Sequence, residues 1–473
     1  MKNFTLAILS SLFLLSFTDA NAQVVPKKLD DLLTRTLDSM QKVLKSKSLS
    51  ASIQLSNGAV WANAKGVSSE VPFVPVTPNH SYLIGSVVKT ITSACVLQLA
   101  DEKKLNLDDS LFRWVDTFKY INPNITIRQL LRHQSGIYDV LQNPQNQPAL
   151  LANKDSIWSY KDLITRFIKP AVFAPGKSWQ YSNTNYFLLA MIIEKAIGQP
   201  YHKEFRKRFF TPLDLKSFSI PAYETLPSPI AHVWIDLNGD GILDNANTFY
   251  TTWKSLNAEA GSAGGYYAIA SDVAKWTRTY FRGDLISPTL MTQAKQTVFA
   301  AGANNSNYGL GLMERTIGGL KAYGHGGDLS YSASTWYFPS KDISITVLNN
   351  DSKFTSWTLL STVTQLLKTY LANEGLVATN DEIEKNSIAL KVAPNPFSER
   401  ATVLLNIPND IHELTLVFTN TLGQELASIS KQNLAAGEQR IELDEMAFLP
   451  NGISIMSVVV DGKMIKATKI IKS

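Results

Sequence analysis

The sequence predicts an α+β fold: one antiparallel sheet flanked by helices, with a helical insert between its two halves, followed by a small C-terminal all-β sandwich. Three observations predict it. A helix-periodic segment and a hairpin signal stand near the start, and strand signals with a last amphipathic run stand before residue 372. Between them the chain has helical and loop character to about residue 315, and beyond residue 388 it changes to short strands separated by turn residues. A length of 473 residues suits about two or three domains of ordinary size.

The elements follow in order. Residues 1–22 read as an export signal: Lys2 supplies the charge, Leu6 to Phe17 the apolar core, and Ala20-Asn21-Ala22 the small-residue cleavage site. That core is too short to span a bilayer, and no later segment offers a long uninterrupted apolar run, so a soluble exported protein without a transmembrane segment is expected. Lys28 to Lys45 has helical spacing through Leu29, Leu32, Leu33, Leu37, Met40 and Val43. "ASIQLSNGAVWANAKG" alternates around Asn57-Gly58, a hairpin signal. The apolar run after Ser86 predicts a helix, and "GLKAYGHGG", "STWYFPS" and "DISITVLNN" predict three further strands before a helix over Phe354 to Leu371. One domain therefore covers residues 23–373, its sheet assembled from the two ends of that span. Residues 374–388 are linker-like, and residues 389–473 form the separate β module, with a hairpin signal at Asp461-Gly462.

Composition narrows the function. Lys plus Arg number 45 against 40 Asp plus Glu, a net charge of +5 with no basic block, so nucleic acid is not an expected partner. Cys95 is the single cysteine, which excludes an intramolecular disulfide, and its apolar neighbours make it a buried structural thiol. The six histidines are scattered without metal-ligand spacing, and no cofactor is expected. Oligomeric state is left open.

The chemistry gathers at "GSVVKT". Ser86 and Lys89 lie three apart at a helix start, so hydroxyl and amine share one face, the layout of an activated nucleophile. The same spacing at Ser39/Lys42 and Ser428/Lys431 shows how weak the pattern is alone. "YSN" at Tyr181 to Asn183 follows a Pro-Gly turn and supplies a phenol and a polar anchor. A tyrosine titrates near pH ~10, so it serves as a base only where a cation such as Lys89 stabilises the phenolate. In "GHGGD", Gly324 to Asp328, glycines inside a strand mark the close approach of another backbone or a substrate.

In this order the three pieces resemble the class C β-lactamase and serine DD-peptidase family, with its esterase and aminopeptidase relatives. "LLRHQSGI", "YSNTNY", "TPLDL", "AGSAGGYYAIASDVAKW" and "YGLGL" extend the resemblance over residues 28 to about 372. The resemblance implies Ser86 as nucleophile, Lys89 as its electrostatic activator and Tyr181 as general base and leaving-group acid. Asn183 would contact the substrate amide, His325, Gly326 and Gly327 would line the substrate, and the N–H groups of Ser86 and Asp328 would form the oxyanion hole. Where β-lactamases commonly carry Lys-Thr-Gly, this chain has His325-Gly326-Gly327, which lacks the hydroxyl and the fixed cation that suit a substrate carboxylate. That favours esters or D-aminopeptides over bicyclic lactams, and Tyr331 is expected to narrow the cleft.

The tail's "VAPNPF", "LPNG" and final "KATKIIKS" resemble the type A C-terminal sorting domain of the Bacteroidetes type IX secretion system, which implies that export machinery as a partner and a secreted or cell-surface location after a periplasmic stage. An Ig-like carbohydrate-binding module is the alternative. "DLNGDGILDNAN" resembles a calcium loop through Asp236, Asn238, Asp240 and Asp244, but Asn247 replaces the bidentate glutamate, and an Asp/Gly-rich turn explains it as well. His133 is expected to be a hydrogen-bonded structural residue beside the site. The leading expectation is an exported serine hydrolase forming an acyl-enzyme at Ser86 on D-amino-acid peptides, β-lactams or small esters. The alternative is a non-catalytic surface protein that binds peptidoglycan or glycans in the same cleft.

Overall fold

A computed structural model describes residues 24–247, 253–300, 306–376, 389–407, 410–420, 425–443, 449–461 and 463–472. The expected signal peptide and most of the expected linker lie outside these residues. The chain divides into two compact units between Leu371 and Ala372.

In the first unit the strands are β1 (Ser48–Gln54), β2 (Val60–Glu70), β3 (Phe73–Pro75), β4 (Tyr82–Leu83), β5 (Trp234–Ile235), β6 (Asp244–Asn245), β7 (Tyr267–Ala268), β8 (Val298–Ala300), β9 (Ser306–Tyr308), β10 (Met313–Ile317), β11 (Leu320–Leu329), β12 (Tyr331–Phe338) and β13 (Ile343–Asn349). The helices are α1 (Lys27–Leu44), α2 (Val88–Asp101), α3 (Ile127–Leu131), α4 (Asn146–Ala152), α5 (Tyr160–Phe167), α6 (Asn183–Ile197), α7 (Tyr201–Phe205), α8 (Lys254–Gly264), α9 (Ala270–Arg282), α10 (Pro288–Ala294) and α11 (Leu360–Leu371). The main sheet is antiparallel throughout and runs β3-β2-β1-β13-β12-β11-β10-β9-β8. Its register joins the chain's two ends, with Leu49 opposite Asn349 and Gln54 opposite Ser344.

Every residue of β1, β12 and β13 is buried, so both faces of the sheet centre are covered. α9 packs on β1, β12 and β13, while α1 and α11 pack on each other and on β1, β2 and β13. Thr36 and Thr369 share a 2.8 Å hydrogen bond between α1 and α11. α2 is buried almost all round, as a helix apolar on every face must be, and holds Cys95 in the core. Strands β8, β9 and β10 extend the sheet where helix and loop were expected. They span three to five residues each, too short to display a period of two. Among the described residues no helix is long and apolar enough to cross a membrane.

The second unit holds a three-stranded sheet, with Ala401–Ile407 between Ala389–Ala393 and Gly437–Leu443, and a four-stranded one in the order Glu425–Leu434, Ile411–Thr419, Gly452–Val460, Lys463–Lys472. Val403, Leu405 and Ile441 of the first and Leu416, Phe418, Met456 and Val458 of the second share one core, which makes the unit a sandwich. Asp461 takes φ +47°, the left-handed conformation that the hairpin signal demands.

Candidate active site

Ser86 sits in a single 3₁₀ turn, Gly85–Val87, that leads straight into α2. The turn is anchored from both sides. Upstream, β4 pairs with β7, and the Ile84 N–H donates to the Tyr266 carbonyl at 2.9 Å. On the other side it lies against β11. That strand pairs with β10 only up to Gly324, so from Gly326 onward one edge is left for the turn.

The contact leaves no room for side chains. Gly85 has φ +52°, and a methyl group there would lie 2.8 Å from the Asp328 nitrogen. One on Gly327 would lie 2.0 Å from the Ile84 oxygen and 2.9 Å from the Ser86 nitrogen. Of the glycines inside β11, Gly327 thus marks the approach of another backbone, that of the nucleophile turn, while Gly326 faces the Ser356 side chain and Gly324 the Thr335 carbonyl. The same closeness brings the main chain at Ser86 against that at Gly327 and Asp328. Gly327→Ala is expected to cost about 1–3 kcal/mol, as overpacking of a dense core does, and to displace the turn. A lower unfolding temperature checks it, and an unchanged one contradicts it.

Lys89, fully buried one turn below, donates to Ser86 Oγ at 3.0 Å, Asn183 Oδ1 at 2.7 Å and the Ala263 carbonyl at 2.8 Å. That carbonyl follows a break in α8 at Gly261, where φ is 19° and ψ −108°. Gly261 is also pressed by the hydroxyls of Tyr160 and Tyr201, 2.2 and 2.5 Å from where its Cβ would be. Burial strips the ammonium of water and lowers the Lys89 pKa to about 7, with Asp139 partly offsetting the fall. Asn183, first residue of α6, passes the contact on by donating to Asp139 Oδ2 at 2.8 Å. Asp139 is itself buried, and its carboxyl is raised from the ordinary range mainly by desolvation.

Tyr181 arrives from the loop before α6. Its ring packs on His133 with centroids 4.2 Å apart, and Lys89 Nζ stands 4.8 Å from its centroid. Its hydroxyl is buried without a formed hydrogen bond. Burial pushes the phenol well above its usual pKa, and the nearby Ser86 hydroxyl offsets this only in part. Lys89 Nζ stands over the Tyr181 ring, and burial sets the direction in which this phenol is shifted.

His133 is the structural histidine expected. With φ +59° it accepts the Ser182 N–H on Nδ1 at 3.1 Å and the Gln180 N–H on its carbonyl at 3.0 Å, holding the Tyr181 loop in place. His325 lines the cleft, but its ring nitrogens are engaged. Tyr308 lies 3.0 Å from Nε2 and the Gly326 carbonyl 2.5 Å from Nδ1, and burial lowers the ring to about 3, so it is neutral. Gly326 lines the same wall against Ser356, and the Asp328 carboxylate accepts the Ser356 N–H and hydroxyl at 2.6 and 2.7 Å. Tyr331 does not narrow the cleft as expected. It is buried among Tyr82 and Tyr267 and donates to the Ala231 carbonyl at 2.7 Å.

The Asp236–Asp244 loop closes on itself, with Asp236 accepting from Gly239 and Gly241, Asp240 from Ile242, and Asp244 from Leu237. Among the described residues no group of three or more His, Cys, Asp or Glu could hold a metal ion. The other Ser-x-x-Lys pairs are exposed, Ser39 and Lys42 on α1 and Ser428 and Lys431 on the Glu425–Leu434 strand of the second unit.

Ser86, Tyr181, Asn183 and Asp328 open onto a cleft of about 600 Å³, walled by Trp179 and Trp357. Sequence reasoning missed two carboxyls that line it, Asp139 and Glu259. The only signal for Glu259 was a single charge inside the small-residue run "NAEAGSAGG".

A family model described as Beta-lactamase matches residues 34–385. The chain is 26% identical over 249 residues to Penicillin-binding protein 4* of Bacillus subtilis, covering 50% of this chain and 53% of that protein. It is 28% identical over 201 residues to a teichoic acid D-alanine hydrolase of Staphylococcus aureus, covering 41% and 47%. The chain thus spans about half the length of these curated relatives. Among solved structures, a D-stereospecific amidohydrolase from Streptomyces sp. matches with a TM-score of 0.59 and 26% identity, over 68% of this chain and 94% of that one.

Proposed function

Because this chain belongs to the beta-lactamase family, we propose that it is a serine hydrolase acting through an acyl-enzyme at Ser86 on D-amino-acid amides, peptides or small esters. The observation that carries the proposal is the convergence of Ser86 Oγ, Lys89 Nζ and the Tyr181 ring beside two backbone N–H groups on one cleft.

The steps follow from the geometry. Ser86 Oγ attacks the substrate carbonyl while Lys89, half of it neutral near pH 7, takes the hydroxyl proton across 3.0 Å. The N–H groups of Ser86 and Asp328 hold the oxyanion. Tyr181, a neutral phenol beside Ser86, gives its proton to the leaving amine or alkoxide and regains one from Lys89. Water then attacks the ester, its proton returns along the same route, and Ser86 is restored. Compared with the sequence reading, Lys89 becomes the base and Tyr181 the proton donor. The names of the Streptomyces and Staphylococcus relatives support a D-configured substrate.

We extend the proposal to localisation: residues 1–22 direct export, and residues 389–473 act as a type IX sorting domain. N-terminal sequencing and intact mass of the protein recovered outside the cell test this. A role in binding peptidoglycan without chemistry would leave a desolvated lysine beside a serine with no purpose. Mass spectrometry after fluorophosphonate or penicillin treatment tests the hydrolase reading. An adduct on the Ser86 peptide supports it, and an adduct elsewhere or none overturns it.

A further inference from the structure

The cleft carries an unusual charge inventory. Asp139, Glu259 and Asp328 line it, and among the described residues no Lys or Arg does. Lys89 lies beneath the floor, its donors spent on Ser86, Asn183 and Ala263. Two of the three carboxyls already have work within the protein. Asp328 accepts two hydrogen bonds from Ser356, and Asp139 accepts from Asn183 and from the Leu141 N–H at 3.1 Å.

Glu259 differs. It is 2% exposed, yet among the described residues only Asn146 of α4 bonds its carboxyl, at 2.5 Å to Oε1, so Oε2 has no donor. No cation faces it. His325 across the cleft is neutral, and the charged neighbour felt most is Asp139, of like sign. The second oxygen of this cleft-lining carboxyl is thus left for a group that enters the cleft.

We propose that Glu259, with Asp139 beside it, forms a subsite for the substrate's ammonium group, so that the enzyme takes D-aminoacyl amides, peptides or esters whose α-amino group is free. This rests on the reading of Ser86 as the nucleophile and adds to it the end of the substrate that is recognised. Glu259 lies on α8 four residues before Ala263, whose carbonyl holds Lys89, across the break at Gly261. Burial and Asp139 raise the Glu259 carboxyl to about 8, so it is protonated in the empty cleft near neutral pH. An entering ammonium displaces that proton to solvent and forms a charge-assisted hydrogen bond with the carboxylate. A substrate carboxylate would meet only acids there, and acylation of the amine removes the charge the subsite requires.

The test separates this subsite from the chemistry. Binding of D-phenylalaninamide and N-acetyl-D-phenylalaninamide to the Ser86→Ala protein is measured by calorimetry, with no turnover needed. The free amine is expected to bind at least about tenfold more tightly, the scale of a hydrogen bond to a charged group. Adding Glu259→Gln, which keeps an acceptor for Asn146, is expected to shrink the preference below about threefold. Equal binding of the two ligands to Ser86→Ala overturns the subsite whether or not the variant folds, as does a preference that survives Glu259→Gln. Failure of the Ser86 reading is read independently, from fluorophosphonate labelling of the wild type.

Discussion

Ser86→Ala is expected to lower kcat/KM on p-nitrophenyl acetate and on D-alanine p-nitroanilide by at least about 10⁴-fold, the scale seen when a serine nucleophile is removed. The substitution deletes one hydroxyl from a turn whose backbone contacts, the Ile84 N–H to Tyr266 and the packing of Gly327 on Ile84, are all main-chain. The fold is therefore expected to survive, with an unchanged far-ultraviolet spectrum. Residual turnover within tenfold of wild type would place the chemistry elsewhere. The oxyanion N–H of residue 86 remains in the variant, so any weak remaining activity reports that donor and its Asp328 partner.

The second large effect belongs to Lys89. Its ordinary pKa of 10.5 falls to about 7 because burial penalises the ammonium. Below about pH 7 the amine is protonated and accepts no proton from Ser86, whereas above it the base is free. The kcat/KM for p-nitrophenyl acetate, a substrate without its own titrating group, is thus expected to fall about tenfold per unit as pH drops below 7. A Tyr181 phenolate would instead put that limb above pH 10, since burial raises this phenol. The position of the limb therefore distinguishes the two bases. Lys89→Met is expected to remove about 10²- to 10⁴-fold of activity, the range of a positioned general base, and to abolish the limb.

How far this was legible in the sequence differs from part to part. Ser86 and Lys89 could be paired because a helix start converts a spacing of three into a shared face, and Asn57-Gly58 marked the hairpin between β1 and β2, although the register found, Gln54 opposite Val60, is one residue off that of a two-residue turn. Among the glycines of β11, Gly327 was correctly read as a point of close approach. What approaches it became clear only once Ile84 was seen lying on it. Other features depend on which neighbours the fold delivers. Tyr181 has an ordinary side chain in the sequence, and only the rings of His133, Trp179 and Tyr308 around it reverse the direction of its titration. Tyr331 reads as a cleft residue because it stands where relatives of the resembled family often carry glycine, but after the turn at Ser330, with φ +59°, it lies in the core. Glu259 and Asp139 come from segments more than a hundred residues apart, and no local pattern announces a carboxyl that is defined by the absence of a cation.

The pairing of β1 with β13 has a consequence for how the chain reaches this state. Residues 48–54 find their inner neighbour only when residues 343–349 exist, so the middle of the sheet closes last, over nearly the whole length of the unit. Such long-range closure is slow, because the entropy of a large loop is lost before the contacts that reward it form. A nascent chain stopped short of β11 would lack the Gly327–Asp328 backbone against which the Ser86 turn packs.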